Sequence, residues 1–188
     1  FLGAERLGGG AVGVALEGDL HVDTVVAQGC RPIGEPLIVT RGHGNVAAEL
    51  DGEPAIAVLE RLVATLPPAD RELASHSLFL GLAMKGGGPL GKGDFLIRNL
   101  MGADHGSGAL AAAAPLSPGQ IVQFHLRDAR TAEADLREML AMHEGSAPDG
   151  ALMFSCVGRG QALFGAANHD SATFRSIIGD VPLGGFFC

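Results

Sequence analysis

The sequence has no tryptophan, no tyrosine and only three cysteines. Without Trp or Tyr, an aromatic cage around a ligand cation would have to use phenylalanine alone. Cys30, Cys156 and Cys188 form no CxxC pair, and three thiols cannot all pair within one chain. A disulfide scaffold and a structural zinc site are therefore not expected, and a reduced, cytoplasmic setting is. Positive charge is also scarce. Thirteen Lys and Arg face 21 Asp and Glu, a formal net charge of −8. Nucleic-acid affinity rests on neutralising phosphates, so no nucleic-acid partner is expected. No apolar run approaches the roughly 20 residues of a membrane-spanning helix, and no secretory leader pattern opens the chain, so no membrane partner is expected either.

What is present suits a folded domain. Hydrophobic residues make up 47% and charged residues 18% of 188, a balance far from that of disordered chains and enough for one sizeable core. Ala11–Leu16 and His21–Ala27 read as a β-hairpin about Glu17-Gly18-Asp19. Short strands are predicted over Pro36–Thr40 and Asn45–Leu50. Ala55, Val58, Leu59, Leu62, Val63 and Leu66 recur at helical spacing behind Pro54, and Pro67-Pro68 ends that helix. Strands follow over His76–Met84, Asp94–Leu100, Gly108–Ala114 and Gln120–Arg127. The glycine-rich run Lys85–Gly93 reads as a flexible loop. Asp128 is placed to cap a helix striped with Ala132, Leu136, Met139 and Leu140. Ala151–Cys156 reads as a strand covered on both faces, with Cys156 buried and unreactive. A helical piece at Gln161–Phe164, a helix from Ser171 to Ile178 capped by Asp170, and a strand from Val181 complete the pattern. Consecutive strands between few helices predict an α+β fold, with mixed, largely antiparallel sheet layers covered by helices. The Phe-Leu-Gly start and the apolar Gly184–Cys188 end suggest a piece of something longer.

Phe154-Ser155-Cys156-Val157-Gly158-Arg159-Gly160 is the most distinctive stretch. A Gly-rich turn after a strand exposes backbone N–H groups, and Arg159 adds a fixed cation. Together with Gly158 and Gly160 it either holds a small anion or pairs with an acid of the chain. Cys156 could be a thiol nucleophile if His169 reached it. Val122, Phe124 and Leu126 would face the core, leaving Gln123, His125 and Arg127 on the other strand face, toward ligand or water. Arg98, in an apolar strand, needs Asp94, Asp104 or a ligand acid. The scattered histidines match no metal motif.

Six segments together resemble the FIST family, named for F-box and intracellular signal transduction proteins. They are Gln28–Pro36, Leu50–Ala55, Gly93–Asn99, Gln123–Asp128, Phe154–Gly160 and Val181–Cys188. The resemblance implies that residues 1–40 are the end of the N-terminal part and 41–188 the C-terminal part, incomplete at its end. It further implies sensing of small ligands, amino acids among them, and a signal passed to an attached or separate output domain or protein. The family brings no established catalytic residues. The reading is therefore a cytoplasmic small-ligand-binding sensory domain, not an enzyme, with no cofactor and no metal. Its candidate ligand-binding residues are Arg159, Gly158, Gly160, Arg98, His125 and Arg127. The rivals are a thiol-dependent enzyme using Cys156 and a protein-interaction module.

Overall fold

In the computed structural model, six antiparallel strands close into a ring. The structure describes residues 1–188 except 1–2, 7, 12, 86–87, 92 and 144–146. The ring runs β1 (Arg31–His43), β7 (Ile121–Leu126), β4 (Leu78–Ala83), β5 (Phe95–Asp104), β6 (Ala109–Ala112) and β2 (Val46–Leu50), and β2 returns to β1. The two-residue β3 (Glu53–Pro54) adds to β2. Two long strands make the closure. β1 pairs with β7 through Arg31–Ile38 and with β2 through Val39–His43. β5 pairs with β4 through its first half and with β6 through its second. Register shifts mark the bends, between Val39 and Arg41 and between Leu100 and Gly102. Such bulges let one strand leave one sheet and enter the next.

Strand alternation fills the ring. Val122, Phe124 and Leu126 point inward with no exposed surface, as the sequence pattern predicts, and meet Leu80 and Leu82 of β4. Helix α1 (Ala55–Thr65) lays Ala55, Ile56 and Val58 onto the same core. Pro67-Pro68 does end that helix, but Pro68 also opens a second one, α2 (Pro68–Ala74), from its first position. Its missing N–H is no loss there.

A smaller layer follows. Helix α3 (Ala129–Ala141) starts as expected at Asp128, whose Oδ1 accepts from Thr131 N–H at 2.7 Å. β8 (Ala151–Ser155) and β9 (Leu183–Phe187) pair in parallel. A 3-10 turn (Val157–Arg159), α4 (Gln161–Phe164) and α5 (His169–Ile178) connect them. Leu136, Leu140 and Phe174 form a second core between α3, α5 and one face of β8–β9. The fold is thus α+β, a closed antiparallel sheet beside a helix-covered parallel pair.

Four local expectations need correction. Among the described residues no strand forms over 11–27, because an isolated hairpin with no third strand to cover it is marginal in water. β8 is covered on one face only, since Leu152 and Phe154 are 71% and 58% exposed on the other. Cys156, which follows on that face, is exposed. Helix α5 begins two residues early, with Asn168 in left-handed conformation at the cap position, and Asp170 lies inside the first turn. Three residues of the loop predicted over Lys85–Gly93 (Gly86, Gly87 and Lys92) lie outside the described residues.

Gly81 on β4 is held against the imidazole of His125. A Cβ there would lie 2.5 Å from Cε1 and 3.0 Å from the Phe95 Cβ. His125 cannot swing away easily, because Nδ1 is 3.0 Å from the Gln123 carbonyl and the ring packs on Phe95. Gly81→Ala should therefore destabilise the fold by ~1–3 kcal/mol, the usual range for overpacking, in urea unfolding. An unchanged midpoint would mean that the His125 side of the sheet is loosely packed.

Candidate functional site

The end of β7 meets the turn after β8 at a cluster of two arginines, two thiols and two carboxylates. Chain alternation places Arg127 on the outer face of β7 with Gln123 and His125. Its Cζ stands 4.6 Å over the Phe79 ring, and its Nη1 lies against Gly158 and 3.9 Å from Cys156 Sγ. Cys30, whose Sγ donates to the Gln28 carbonyl at 3.7 Å, lies close enough to feel the Arg127 charge. Among the described residues no carboxylate forms an ion pair with Arg127, and its Nε is buried without a hydrogen-bond partner.

Arg159 has the opposite circumstance. It is 8% exposed, and its Nε donates to Asp170 Oδ2 at 2.7 Å and its Nη2 to Asp170 Oδ1 at 3.0 Å. Nη2 also donates to the Ala132 carbonyl at 3.3 Å. This two-point grip leaves Nη1 buried without a partner, facing Gly29. Gly29 itself has φ +67°, and a Cβ there would sit 2.6 Å from Arg159 Nη1 and 2.9 Å from the Ala132 Cβ. Its N–H donates to Asp135 Oδ2 at 2.7 Å. The backbone of Gly29–Cys30 is thereby clamped between α3 and the two guanidinium groups.

The charges shift as this geometry requires. Burial pushes the Asp170 carboxyl up, but Arg159 and then His169 outweigh it and hold the group below the usual carboxylate range. Burial pushes the Cys30 thiol up against the opposing pull of Arg127. Burial likewise lowers the pKa of His125, whose ring is 4% exposed between Phe95 and Gly81.

Of the residues singled out from the sequence, Arg127, Arg159 and Gly158 come together around Gly29–Cys30. Gly160 follows as the extended residue before α4. His125 is a neighbour on the strand face of Arg127, but Gln123 and His125 are buried there and do not form a solvated face. Arg98 lies elsewhere. It pairs in register with Leu80, on the opposite strand face, and its Nη1 donates to the Ile97 carbonyl at 3.4 Å. No acid among the described residues makes an ion pair with it. Gly29, Cys30, Asp135 and Asp170 were missed as site residues. Asp170 was read as a helix cap, and the Gly29-Cys30-Arg31 run was legible only through the family resemblance.

His169 does not serve Cys156. Its Nδ1 is 3.2 Å from Asp170, its Nε2 is 3.7 Å from Glu133, and its ring stacks on Phe164 at 3.7 Å. Two shallow grooves include neither Arg127 nor Arg159. One, of about 370 Å³, is lined by Asp23, Val25, Met139 and His143. The other, of about 380 Å³, is lined by Glu133, Arg137, His169 and Thr173. Among the described residues no group of three or more His, Cys, Asp or Glu could hold a metal ion, and no helix is long and apolar enough to cross a membrane.

Family models for the FIST N domain and the FIST C domain match residues 1–53 and 55–188. The chain belongs to the FIST family, a family of sensory domains in signal transduction. An uncharacterized protein of Mycobacterium tuberculosis (strain ATCC 25618 / H37Rv) is 43% identical over 191 residues, covering 100% of this chain and 50% of its own. An uncharacterized protein of Mycobacterium bovis (strain ATCC BAA-935 / AF2122/97) is 43% identical over 192 residues, covering 100% and 49%. The chain thus spans about half the length of the curated relatives it matches. No solved structure matches it.

Breaking the Arg159–Asp170 pair should be costly to the helical layer, whatever the intact pair contributes net. Arg159→Ala strands Asp170 as a buried charge, so unfolding in urea near neutral pH should show a loss of ~3–5 kcal/mol. The Asp170 pKa is lower in the folded than in the unfolded chain. The unfolded state therefore takes up the proton first, and the stabilisation is full above about pH 4 and lost as pH falls through the depressed folded value. The gap between Arg159→Ala and the parent chain should narrow in that acidic window. A gap that stays constant into acid would mean that the pair is not what the substitution removes.

Proposed function

We propose that this chain is the small-ligand-binding part of a FIST sensory domain, and that it takes an amino acid or another small carboxylate at Arg127. The observation that carries this reading is the uncompensated charge of Arg127. Arg159 already spends two of its N–H groups on Asp170, whereas Arg127 has thiols, an aromatic ring and a glycine backbone around it. A half-buried cation without a carboxylate partner favours an incoming anion. Ligand capture would also bear on the clamped Gly29–Cys30 segment, which touches both guanidinium groups and Asp135. That gives a route from ligand to backbone and on to an output domain or protein of the signalling pathway.

A second reading is a protein-interaction module, favoured by the exposed apolar side chains of Leu152, Phe154 and Phe186 on the uncovered face of β8–β9. The thiol-enzyme reading has less support, because Cys156 has Gly158 N–H and Arg127 beside it and, among the described residues, no imidazole bonded to it.

A thermal-shift screen of the chain against amino acids and small carboxylic acids tests the first reading, since a ligand that binds the native state raises its melting temperature. At least one acid should do so in a concentration-dependent way. Arg127→Ala should then weaken that acid by ~1.5–3 kcal/mol, the range for hydrogen bonds to charged groups, while Arg98→Ala should not. Equal affinity in the parent and Arg127→Ala would remove Arg127 from the site.

A further inference from the structure

Cys156 and Cys188 are neighbours across the parallel ladder. β8 and β9 pair in register up to Ser155 and Phe187, so the next pair along is Cys156 with Cys188. The backbone continues that pairing. Cys188 N–H donates to the Ser155 carbonyl at 2.7 Å, and Val157 N–H donates to the Cys188 carbonyl at 3.0 Å. These two bonds bracket Cys156 from both sides, as a parallel ladder requires. Paired residues on adjacent strands project to the same face. The pair two residues earlier shows that side chains on this face meet, since the Phe154 and Phe186 rings stand edge to face at 5.0 Å. Adjacent strands lie about 4.8 Å apart, inside the roughly 4.4–6.8 Å span of Cα atoms that a disulfide bridges. Both cysteines are exposed.

Their surroundings differ. Cys156 Sγ accepts from Gly158 N–H at 3.4 Å and lies 3.9 Å from Arg127 Nη1. Cys188 Sγ–H donates to the Ser155 carbonyl at 3.6 Å. The first sulfur is surrounded by donors and the second holds its proton on an acceptor. Cys30 is half-buried behind Arg127 and is not on the ladder.

We propose that Cys156 and Cys188 form an oxidisable dithiol, a modification site that a hydroperoxide converts to an intramolecular disulfide. In the first step the Cys156 thiolate attacks one peroxide oxygen. An S–O bond forms, the O–O bond breaks, and the departing hydroxide or alkoxide takes a proton and leaves as water or an alcohol. Cys156 is then a sulfenic acid. In the second step the Cys188 sulfur attacks the Cys156 sulfur. The S–S bond forms, the S–O bond breaks, and the leaving hydroxide departs as water with the Cys188 proton. The two thiols lose two electrons and the peroxide gains them.

The test uses the fully reduced chain and hydrogen peroxide, followed by alkylation of remaining thiols and peptide mapping without reductant. The expected product has lost the mass of two hydrogens, carries the Cys156 and Cys188 peptides as one linked species, and still has an alkylatable Cys30. Dithiothreitol should restore all three thiols. Cys188→Ser should give no such internal link and should hold Cys156 at the sulfenic acid stage, trapped by a dimedone-type reagent. A bond between Cys30 and Cys156, or loss of both exposed thiols to separate oxidation without a link, would overturn the proposal. Neither outcome depends on whether Arg127 binds a carboxylate.

Discussion

The guanidinium of Arg159 joins parts of the chain that are far apart in sequence. It reaches from the turn after β8 to Asp170 on α5, to the Ala132 carbonyl on α3 and to the backbone of Gly29, with Phe164 of α4 at 5.4 Å. A buried ion pair is a poor source of net stability, because desolvation offsets most of the attraction. It is a strong constraint on arrangement, because any shift of α5 against the turn after β8 would separate two charges in a dry environment, and any slide of α3 would break the bond to the Ala132 carbonyl. The small core of Leu136, Leu140 and Phe174 is apolar and non-directional, and it could tolerate several packings. The salt bridge selects one of them. Arg31 does similar work on the ring side, where it pairs with Asp70 of α2 at 2.6 Å and with Asp128 at the start of α3 at 3.1 Å.

Once α3 is fixed, the segment 27–30 is fixed with it, through Asp135 and Gly29. Arg127 then has a defined floor. Its own strand is rigid, its ring contact with Phe79 comes from the neighbouring strand, and the Gly158 turn closes one side. The candidate site is therefore built on elements held by packing and hydrogen bonds, which is what a recognition site needs if a small ligand is to be distinguished by position and charge.

Much of the ring was legible in the sequence, because period-two alternation is a local signal. Val122, Phe124 and Leu126 declared their direction within one strand, and the helix behind Pro54 declared its stripe. The β1–β2 closure was not legible, since it depends on a bulge and on partners far along the chain. The missing hairpin at 11–27 shows the same limit from the other side. Its alternation is genuine, but a strand pattern is realised only where a further strand or layer covers it. Cys156 failed for a related reason. An apolar run says that a strand is hydrophobic without saying how many of its faces are covered, and β8 has one covered face. At the site, Arg159 carried a visible choice between an anion and an acid, and Asp170 now occupies two of its donors. Arg127 was visible as the partner of His125 on one strand face. Its lack of an acid is a property of three-dimensional neighbours and has no sequence signal.

β1 has a consequence for how the molecule is made. Its second half can zip onto β2 across the tight turn after His43 as soon as both have left the ribosome. Its first half must wait for β7, because Arg31 pairs with Leu126. Until that strand is synthesised, the Arg31–Ile38 edge is unpaired while α1, α2 and the four strands β3–β6 emerge. Ring closure is thus a late, long-range event, of the kind that folds slowly and leaves sheet edges open to wrong partners. The nascent chain would be most vulnerable in the interval between the appearance of β5 and the completion of β7.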